Sequence, residues 1–370
     1  MNEIYIIAII ALALSTAYIF FLTYMLSHEN PKKHELATIP KVSVLVAFRD
    51  EQNNILACCE ALNKLDYPKD KLEILMLNDQ SSDESPRIVE EYILEKESFR
   101  LINIEGEMAN LKAKMNVLAQ GIQKSGGEFI FVTDADCQPS PGWIKTMLQY
   151  FDPTIGLVSG FTILEKQNPG LFSILQTMDW IFLQGLAFLS SNIKKPITVI
   201  GNNLAFRRNV YDQIGGFESI GFSITEDHAL MKTILDKANK QVKYIRDKEA
   251  IVKSLPVNSF GDFLKQRLRW IRGGMSGSLF SFFLVGFSFM VHLAIIALFA
   301  LSQWNGVSAT AIGLIIGIDY FLLKKQLKAL GLENLKRHFV KFEVFYIFYP
   351  IILFMLTPLS KRIGWKGRKL

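Results

Sequence analysis

The sequence predicts an α/β domain built on a mostly parallel sheet, with apolar transmembrane helices at the two ends of the chain. Between residues 42 and 253, short apolar runs of strand length alternate with helix-length stretches, the pattern of a sheet covered on both faces. Residues 4–27 and 273–318 contain no Asp, Glu, Lys or Arg. A chain of 370 residues, 50% hydrophobic and with a mean hydropathy of +0.22, has room for one globular domain and several membrane spans.

At about 1.5 Å per residue, segment 4–27 is long enough to cross a hydrocarbon core of ~30 Å. It starts beside Glu3 and runs into Tyr24-Met25-Leu26, without the basic start or small-residue cleavage site of a signal peptide, so it reads as an uncleaved helix. After a polar linker ending at Pro40, strands are expected at 42–48, 72–77, 100–104 and 128–133, with helices running to Leu65 and over 84–96 and 114–124. A further strand is expected at 157–161. Residues 171–190 are mostly apolar around the single charge of Asp179, which fits a buried helix or an interfacial one. A turn into a short strand at 201–208 and closing strands at 240–245 and 250–253 complete the domain.

The uncharged stretch 273–318, interrupted by Gln303-Trp304-Asn305-Gly306, reads as a hairpin of two spans over about 276–323. A last uncharged stretch, 344–360, holds Pro350 and Pro358 and lies at the lower length limit for a span, so it is expected to be bent, re-entrant or interfacial, with a cytosolic basic tail. The expected division is a membrane helix at 1–27, a cytoplasmic domain at 28–272 and a membrane region at 273–370.

The net charge of +6 is concentrated beside apolar segments, at Lys32, Lys33, Arg267, Arg269, Arg272, Lys324, Lys325, Lys328, Lys336, Arg337, Lys341 and along 361–369. That placement points to anionic membrane lipids and the positive-inside bias, and away from nucleic acid. It puts the large middle section on the cytoplasmic face of a cell's inner membrane. The three cysteines, Cys58, Cys59 and Cys137, show no metal-ligand spacing, and the adjacent pair is poorly placed to bridge, in keeping with a reducing compartment.

Three motifs carry chemistry. Phe131-Val132-Thr133-Asp134-Ala135-Asp136 ends a buried strand in two carboxylates, ligands suited to Mg²⁺ or Mn²⁺, although two acids before Pro141-Gly142-Trp143 also fit a helix cap. Thr225-Glu226-Asp227 pairs two further carboxylates at a helix start, where Thr225 is itself a good cap. In Gln266-Arg267-Leu268-Arg269-Trp270, helical spacing puts Gln266, Arg269 and Trp270 on one face. An arginine there can grip phosphate oxygens and an indole can stack on a ligand, while Arg267 and Arg272 fit basic residues flanking a span.

In combination these motifs resemble the membrane-integrated glycosyltransferases of family 2, among them ceramide glucosyltransferase and the hyaluronan, cellulose and poly-N-acetylglucosamine synthases. The resemblance covers about residues 40–275. It implies a GT-A nucleotide-sugar-binding fold and inverting, metal-dependent transfer of a hexosyl or N-acetylhexosaminyl group, most simply from a UDP-sugar. Under it Asp227 is the catalytic base supported by Glu226. Ala47, Arg49, Glu51, Asp79, Lys114 and Asp134 bind the donor nucleotide, Asp136 and Asp134 the metal, and Asn202, Gln266, Arg269 and Trp270 the acceptor or diphosphate. Departures occur at Ala47, Asp50, Asn78 and Ala119, where the family usually carries other residues; Arg207 and Arg208 receive no role.

Three or four spans are few to enclose a polymer, which favours a lipid acceptor over a processive polysaccharide synthase. A non-catalytic membrane scaffold, motivated by Asn78 and Ala119, is the alternative of another class. A transporter is disfavoured because the spans carry so few ionisable residues, His292 within one and Asp319 near an end.

Overall fold

The computed structural model describes residues 3–29, 32–108, 110–274, 277–300, 305–358, 364–365 and 368–369. In chain order the first elements are α1 (Glu3–Ser27), β1 (Val42–Phe48), α2 (Ile55–Asn63), β2 (Leu72–Asn78), α3 (Ser85–Ile93), β3 (Phe99–Asn103), α4 (Ala113–Gln123) and β4 (Phe129–Asp134). Next come β5 (Gln138–Pro139), α5 (Trp143–Leu148), β6 (Ile155–Ser159), β7 (Thr162–Leu164), α6 (Leu171–Asn192), β8 (Leu204–Arg207), α7 (Arg208–Gln213), α8 (Gly216–Ile220), α9 (Glu226–Lys237), β9 (Gln241–Tyr244) and β10 (Val252–Ser254). The chain then runs through α10 (Phe260–Gly274), α11 (Leu279–Ala300), α12 (Gly306–Ala329) and α13 (Phe339–Leu356). They form two compact units.

One unit holds residues 31–168 and 198–276. Its main sheet has the order β3-β2-β1-β4-β8-β6-β9, parallel across β3, β2, β1 and β4 and antiparallel on both sides of β8. Alternation along β1 explains the two-sided core: Val42, Val44, Val46 and Phe48 pack with α2, α3 and α5, whereas Leu45 packs with α4 and α9. A small second sheet, β5-β10-β7, contains two strands that the sequence pattern did not mark, because two or three residues are too few to show a period.

The other unit holds residues 1–30, 169–197 and 277–359, so α6, expected inside the middle domain, clusters with the apolar helices. It is buried there, and its one charge, Asp179, accepts a 2.6 Å hydrogen bond from the Tyr349 hydroxyl. Among the described residues five helices are long and apolar enough to cross a membrane: Ile6–Ser27, Leu171–Asn192, Leu279–Leu298, Gly306–Ala329 and Glu333–Leu356. Connectivity removes one. Strands β1–β7 precede α6, and β8, which follows it, lies between β4 and β6. Both ends of α6 lead into the same sheet, so α6 cannot carry the chain across a bilayer.

One expectation for the C-terminal region changes. Residues 339–356 form one continuous helix through Pro350 instead of a broken element, because Pro removes a single intrahelical hydrogen bond and packing of α13 on α6 and α11 keeps the rest aligned. In the hairpin turn, Gln303 and Trp304 lie outside the described residues. Asn305 caps α12, its side chain accepting from the Ser308 N–H at 3.0 Å. Of the basic tail, Lys361, Arg362 and Lys366 lie outside the described residues.

Candidate active site

Register brings the polar loops together. Phe48 on β1 is level with Asn78 on β2, and Ala47 with Asp134 on β4, so the loops after these three strands leave the sheet side by side at its carboxyl edge. Arg49 Nη1 donates to the Asp79 carbonyl at 2.9 Å and stands 4.0 Å from its Oδ2, while the Asp79 N–H donates to the Phe48 carbonyl. Asp79 is therefore held, 3% exposed, at the base of this edge. Asp50 (φ 51°) and Gln80 (φ 54°) take left-handed turns. Hydrogen bonds from Ser82 to Asp50 stabilise the first turn and hold the Asp50 carboxyl below its ordinary range. The Glu51 carboxylate accepts from Asn54 Nδ2 at 2.8 Å, and its N–H donates to Ser85 Oγ at 2.7 Å.

The departures from the family pattern have structural reasons. Asn78 donates to Asn103 Oδ1 at 2.8 Å and accepts from the Ser81 N–H at 3.0 Å, two roles that an amide fills and a carboxylate does not. Ala119 lies in the core face of α4. Asp83, which precedes Glu84 at the cap position of α3, accepts from the N–H and hydroxyl of Ser85 at the helix's first turn.

At the centre, Lys114 on the first turn of α4 joins two motifs. Its Nζ lies 2.7 Å from Asp134 Oδ1 and 2.8 Å from Glu226 Oε1. Burial alone would lower the Lys114 pKa, but the two carboxylates outweigh it and hold the amine above its ordinary value. Asp227, beside Glu226, has its carboxyl pushed up to about 7 by burial and by the Glu226 charge, with Lys114 and the N–H groups of His228 and Gly201 acting against the rise. Gly201 fits closely there: a Cβ on it would sit 3.2 Å from Asp227 Oδ2 and 3.3 Å from Glu226 Oε1. Glycine at this position lets the loop lie against both carboxylates, a constraint that a single sequence does not reveal.

Asp136 faces a different surrounding. Its carboxyl is pushed up to about 6 by burial and then by Asp134 and Glu51, and its side-chain partners are distant, Ser254 Oγ and Cys137 Sγ each at 3.4 Å. Mutually repelling carboxylates with lone pairs to spare fit a divalent cation, so Asp136 and Asp134 could hold Mg²⁺ or Mn²⁺.

Asn202 is fixed from two sides, its side-chain oxygen accepting from Thr162 Oγ1 at 2.8 Å and its carbonyl from Thr133 Oγ1 at 2.9 Å. Its neighbour Asn203 is fully buried, bonding Trp143, Phe161 and Ala250. The arginines that follow are structural. Arg208 donates to the Ile122 carbonyl in the last turn of α4 and to the carbonyls of Ser125 and Gly127 just beyond it, and Arg207 packs on Phe129 and Phe151. Gln266, Arg269 and Trp270 all lie on α10, which meets the carboxylate loop through Gly273, where a Cβ would overlap the Thr225 side chain. Arg267, expected as a basic flank, is instead 4% exposed, its guanidinium 4.1 Å from the centre of the Trp270 ring and 4.6 Å from that of Phe263. Stacking between two aromatic rings buries it, and a motif with a free second position gives no sign of this.

The model of the family described as glycosyl transferase family 21 matches residues 4–370. The chain belongs to glycosyl transferase family 21. The family 2-like motifs thus sit in a family 21 glycosyltransferase. Over 263 residues it is 29% identical to a Bacillus subtilis (strain 168) protein described as "Probable glycosyltransferase YdaM", covering 68% of this chain and 60% of that one. It is 25% identical over 245 residues to the poly-β-1,6-N-acetyl-D-glucosamine synthase of Staphylococcus epidermidis, covering 65% of this chain and 56% of the relative. The chain thus spans under two thirds of the length of these two relatives. In structure it is similar to the mannosyltransferase PcManGT from Pyrobaculum calidifontis, solved in complex with GDP-Man and Mn²⁺, with a TM-score of 0.63 and 17% identity over 96% of this chain and 99% of that one. The family 21 chain accordingly has the GT-A fold with several apolar helices.

Proposed function

We infer that this family 21 glycosyltransferase moves a sugar from a nucleotide-sugar donor to a hydroxyl of a membrane lipid, inverting the anomeric carbon, on the cytoplasmic face of the membrane. The observation that carries the reading is Lys114, held between Asp134 of the Asp-X-Asp motif and Glu226 beside Asp227. It links the donor end of the site to the carboxylate that would take the acceptor proton. Asp227 is buried enough to titrate near neutrality, which suits a general base. It would accept the hydroxyl proton as the acceptor oxygen bonds to the sugar and the bond to the diphosphate breaks.

Asp79, oriented by Arg49, would accept from the N–H edge of a base such as uracil, with Glu51 near the ribose. Asp134 and Asp136 would hold Mg²⁺ or Mn²⁺, which when bound neutralises the leaving diphosphate. Gln266, Arg269 and Trp270 would close the acceptor side, and Asn202, pinned by two threonines, would shape it.

The similarity to poly-β-1,6-N-acetyl-D-glucosamine synthases supports a second reading, processive extension of a glycan. With α6 unable to cross, four candidate spans remain among the described residues. That number favours a lipid acceptor. Purified protein incubated with a panel of radiolabelled nucleotide sugars and membrane lipids tests both: label in an extractable lipid supports the first reading, label in high-mass polymer replaces it with the second, and no transfer to either rejects both.

A further inference from the structure

Outside the GT-A domain, three ionisable side chains from three apolar helices converge. His292 on α11, Asp319 on α12 and Glu343 on α13 are 5%, 0% and 4% exposed, and one ligand atom of each lies within 4.8 Å of the others. The sequence segregates them: two occur singly in or beside long apolar stretches, and Glu343 immediately precedes the last one. Charged groups buried among apolar helices are costly unless they are paired or hold a metal.

The hydrogen bonds limit how the cluster can be neutralised. His292 Nδ1 lies 2.7 Å from the Ser288 carbonyl, which only accepts, so that nitrogen carries a proton. Nε2 then points at Asp319 Oδ2 at 2.8 Å. In a neutral imidazole this would set a lone pair against a carboxylate oxygen, so a cation must lie between them. A proton there satisfies Asp319 but leaves Glu343, whose two oxygens are both buried and have no hydrogen-bond partner among the described residues. Protonating Glu343 as well removes its charge but brings neither of its buried oxygens a hydrogen-bond donor. A divalent cation balances a neutral histidine and two carboxylates in one step.

We propose that His292, Asp319 and Glu343 form a divalent-cation site of zinc type, tying α11, α12 and α13 together within the membrane. The donor set, one imidazole and two carboxylates, is one that Zn²⁺ accepts, with ligand bonds of about 2.0–2.2 Å and a fourth position left for water. The surrounding contacts are those of a prepared site. The Ser288 carbonyl fixes the His292 tautomer, the Tyr18 hydroxyl on α1 donates to Asp319 Oδ1 at 3.4 Å, and the Tyr346 ring stands edge-on to His292. This ion would be separate from the one proposed at Asp134 and Asp136, and its existence does not depend on the transfer reaction.

The test uses the full chain carrying Asp136→Asn, so that the catalytic ion does not contribute, purified in detergent and dialysed against metal-free buffer with added Zn²⁺ removed. Elemental analysis should find about one zinc per chain, lost on adding Glu343→Gln or His292→Ala. Loading with Co²⁺ should give the visible absorption of a low-symmetry cobalt site in the parent and not in the Glu343→Gln protein, and Zn²⁺ should raise the melting temperature of the parent alone. Zinc near zero in a folded parent overturns the proposal, as does a full equivalent that survives both substitutions. The count on the intact cluster decides the matter even if a variant fails to fold.

Discussion

Lys114 on α4 and Glu226 on α9 form a 2.8 Å ion pair, and the same amine reaches Asp134 at 2.7 Å. One charge therefore organises carboxylates from both ends of the site. Replacing it by Lys114→Met leaves Asp134, Glu226 and Asp227 to repel one another. Turnover should fall by roughly 10²-fold or more. Because Lys114 opposes the rise of the Asp227 pKa, its loss also moves the acid limb of the activity profile to higher pH. A pH series on both proteins checks this; an unshifted limb would separate Lys114 from Asp227.

Asp227→Asn should keep nucleotide binding and lose transfer by ~10²-fold or more if the carboxylate is the base. Its effect on stability has a definite sign. The folded-state pKa of about 7 lies above the ordinary aspartate value, so between about pH 4 and 7 the folded chain binds more protons than the unfolded one and the wild type loses stability as pH rises through that window. Measured in chelator, Asp227→Asn should melt above the wild type at pH 8 and level with it at pH 4. Retained turnover with weakened nucleotide binding would move Asp227 to the donor side.

Transfer should need Mg²⁺ or Mn²⁺ and stop in excess chelator, and Asp136→Asn should abolish turnover while, measured in chelator at pH 8, melting above the wild type. Asp136 crowds against Asp134 and Glu51, so removing its charge relieves repulsion, and an amide oxygen can still accept the long bond from Ser254 or Cys137. Full turnover in excess chelator would refute the metal assignment.

The parallel half of the sheet was legible because its strands are continuous apolar runs separated by helices, and the polar motifs stood out at strand ends. Where a residue's role depends on its partners, the sequence was silent. Nothing local marks Lys114 as the link between Asp134 and Glu226, Arg267 as buried between two rings, or Arg208 as the group bonding the carbonyls at the end of α4. The placement of α6 was hidden for a related reason. Its apolar composition suits a core helix, an interfacial helix and a span equally, and only the pairing of β8 with β4 and β6 separates them.

Gly273→Ala tests whether α10 positions the carboxylate loop. A Cβ at 273 overlaps the Thr225 side chain, so α10 or the Thr225-Glu226-Asp227 segment must move, at a cost of about 1–3 kcal/mol. Turnover should drop about tenfold with a lower melting temperature. Gly274→Ala meets nothing within 4 Å and serves as the control: it adds the same methyl to the same helix and should leave both unchanged. Equal effects of the two would mean that the helix tolerates no alanine there for reasons unrelated to Thr225.

Residues on the two sides of α6 should lie on one face of the membrane although the helix is long and apolar enough to cross. The reason is connectivity, since the strands before and after α6 share one sheet. Single cysteines at Lys166 and Lys194, both exposed and flanking α6, can be compared with one at Lys237 on the sheet-bearing unit and one at Gly306 at the start of α12. The native thiols of Cys58, Cys59 and Cys137 are buried and give little background. A membrane-impermeant maleimide should spare the cysteines at 166, 194 and 237 in intact cells and label them in inverted vesicles, with the one at 306 showing the reverse. Opposite behaviour of 166 and 194 would make α6 a true span, and the sheet could not then be assembled from the residues on its two sides.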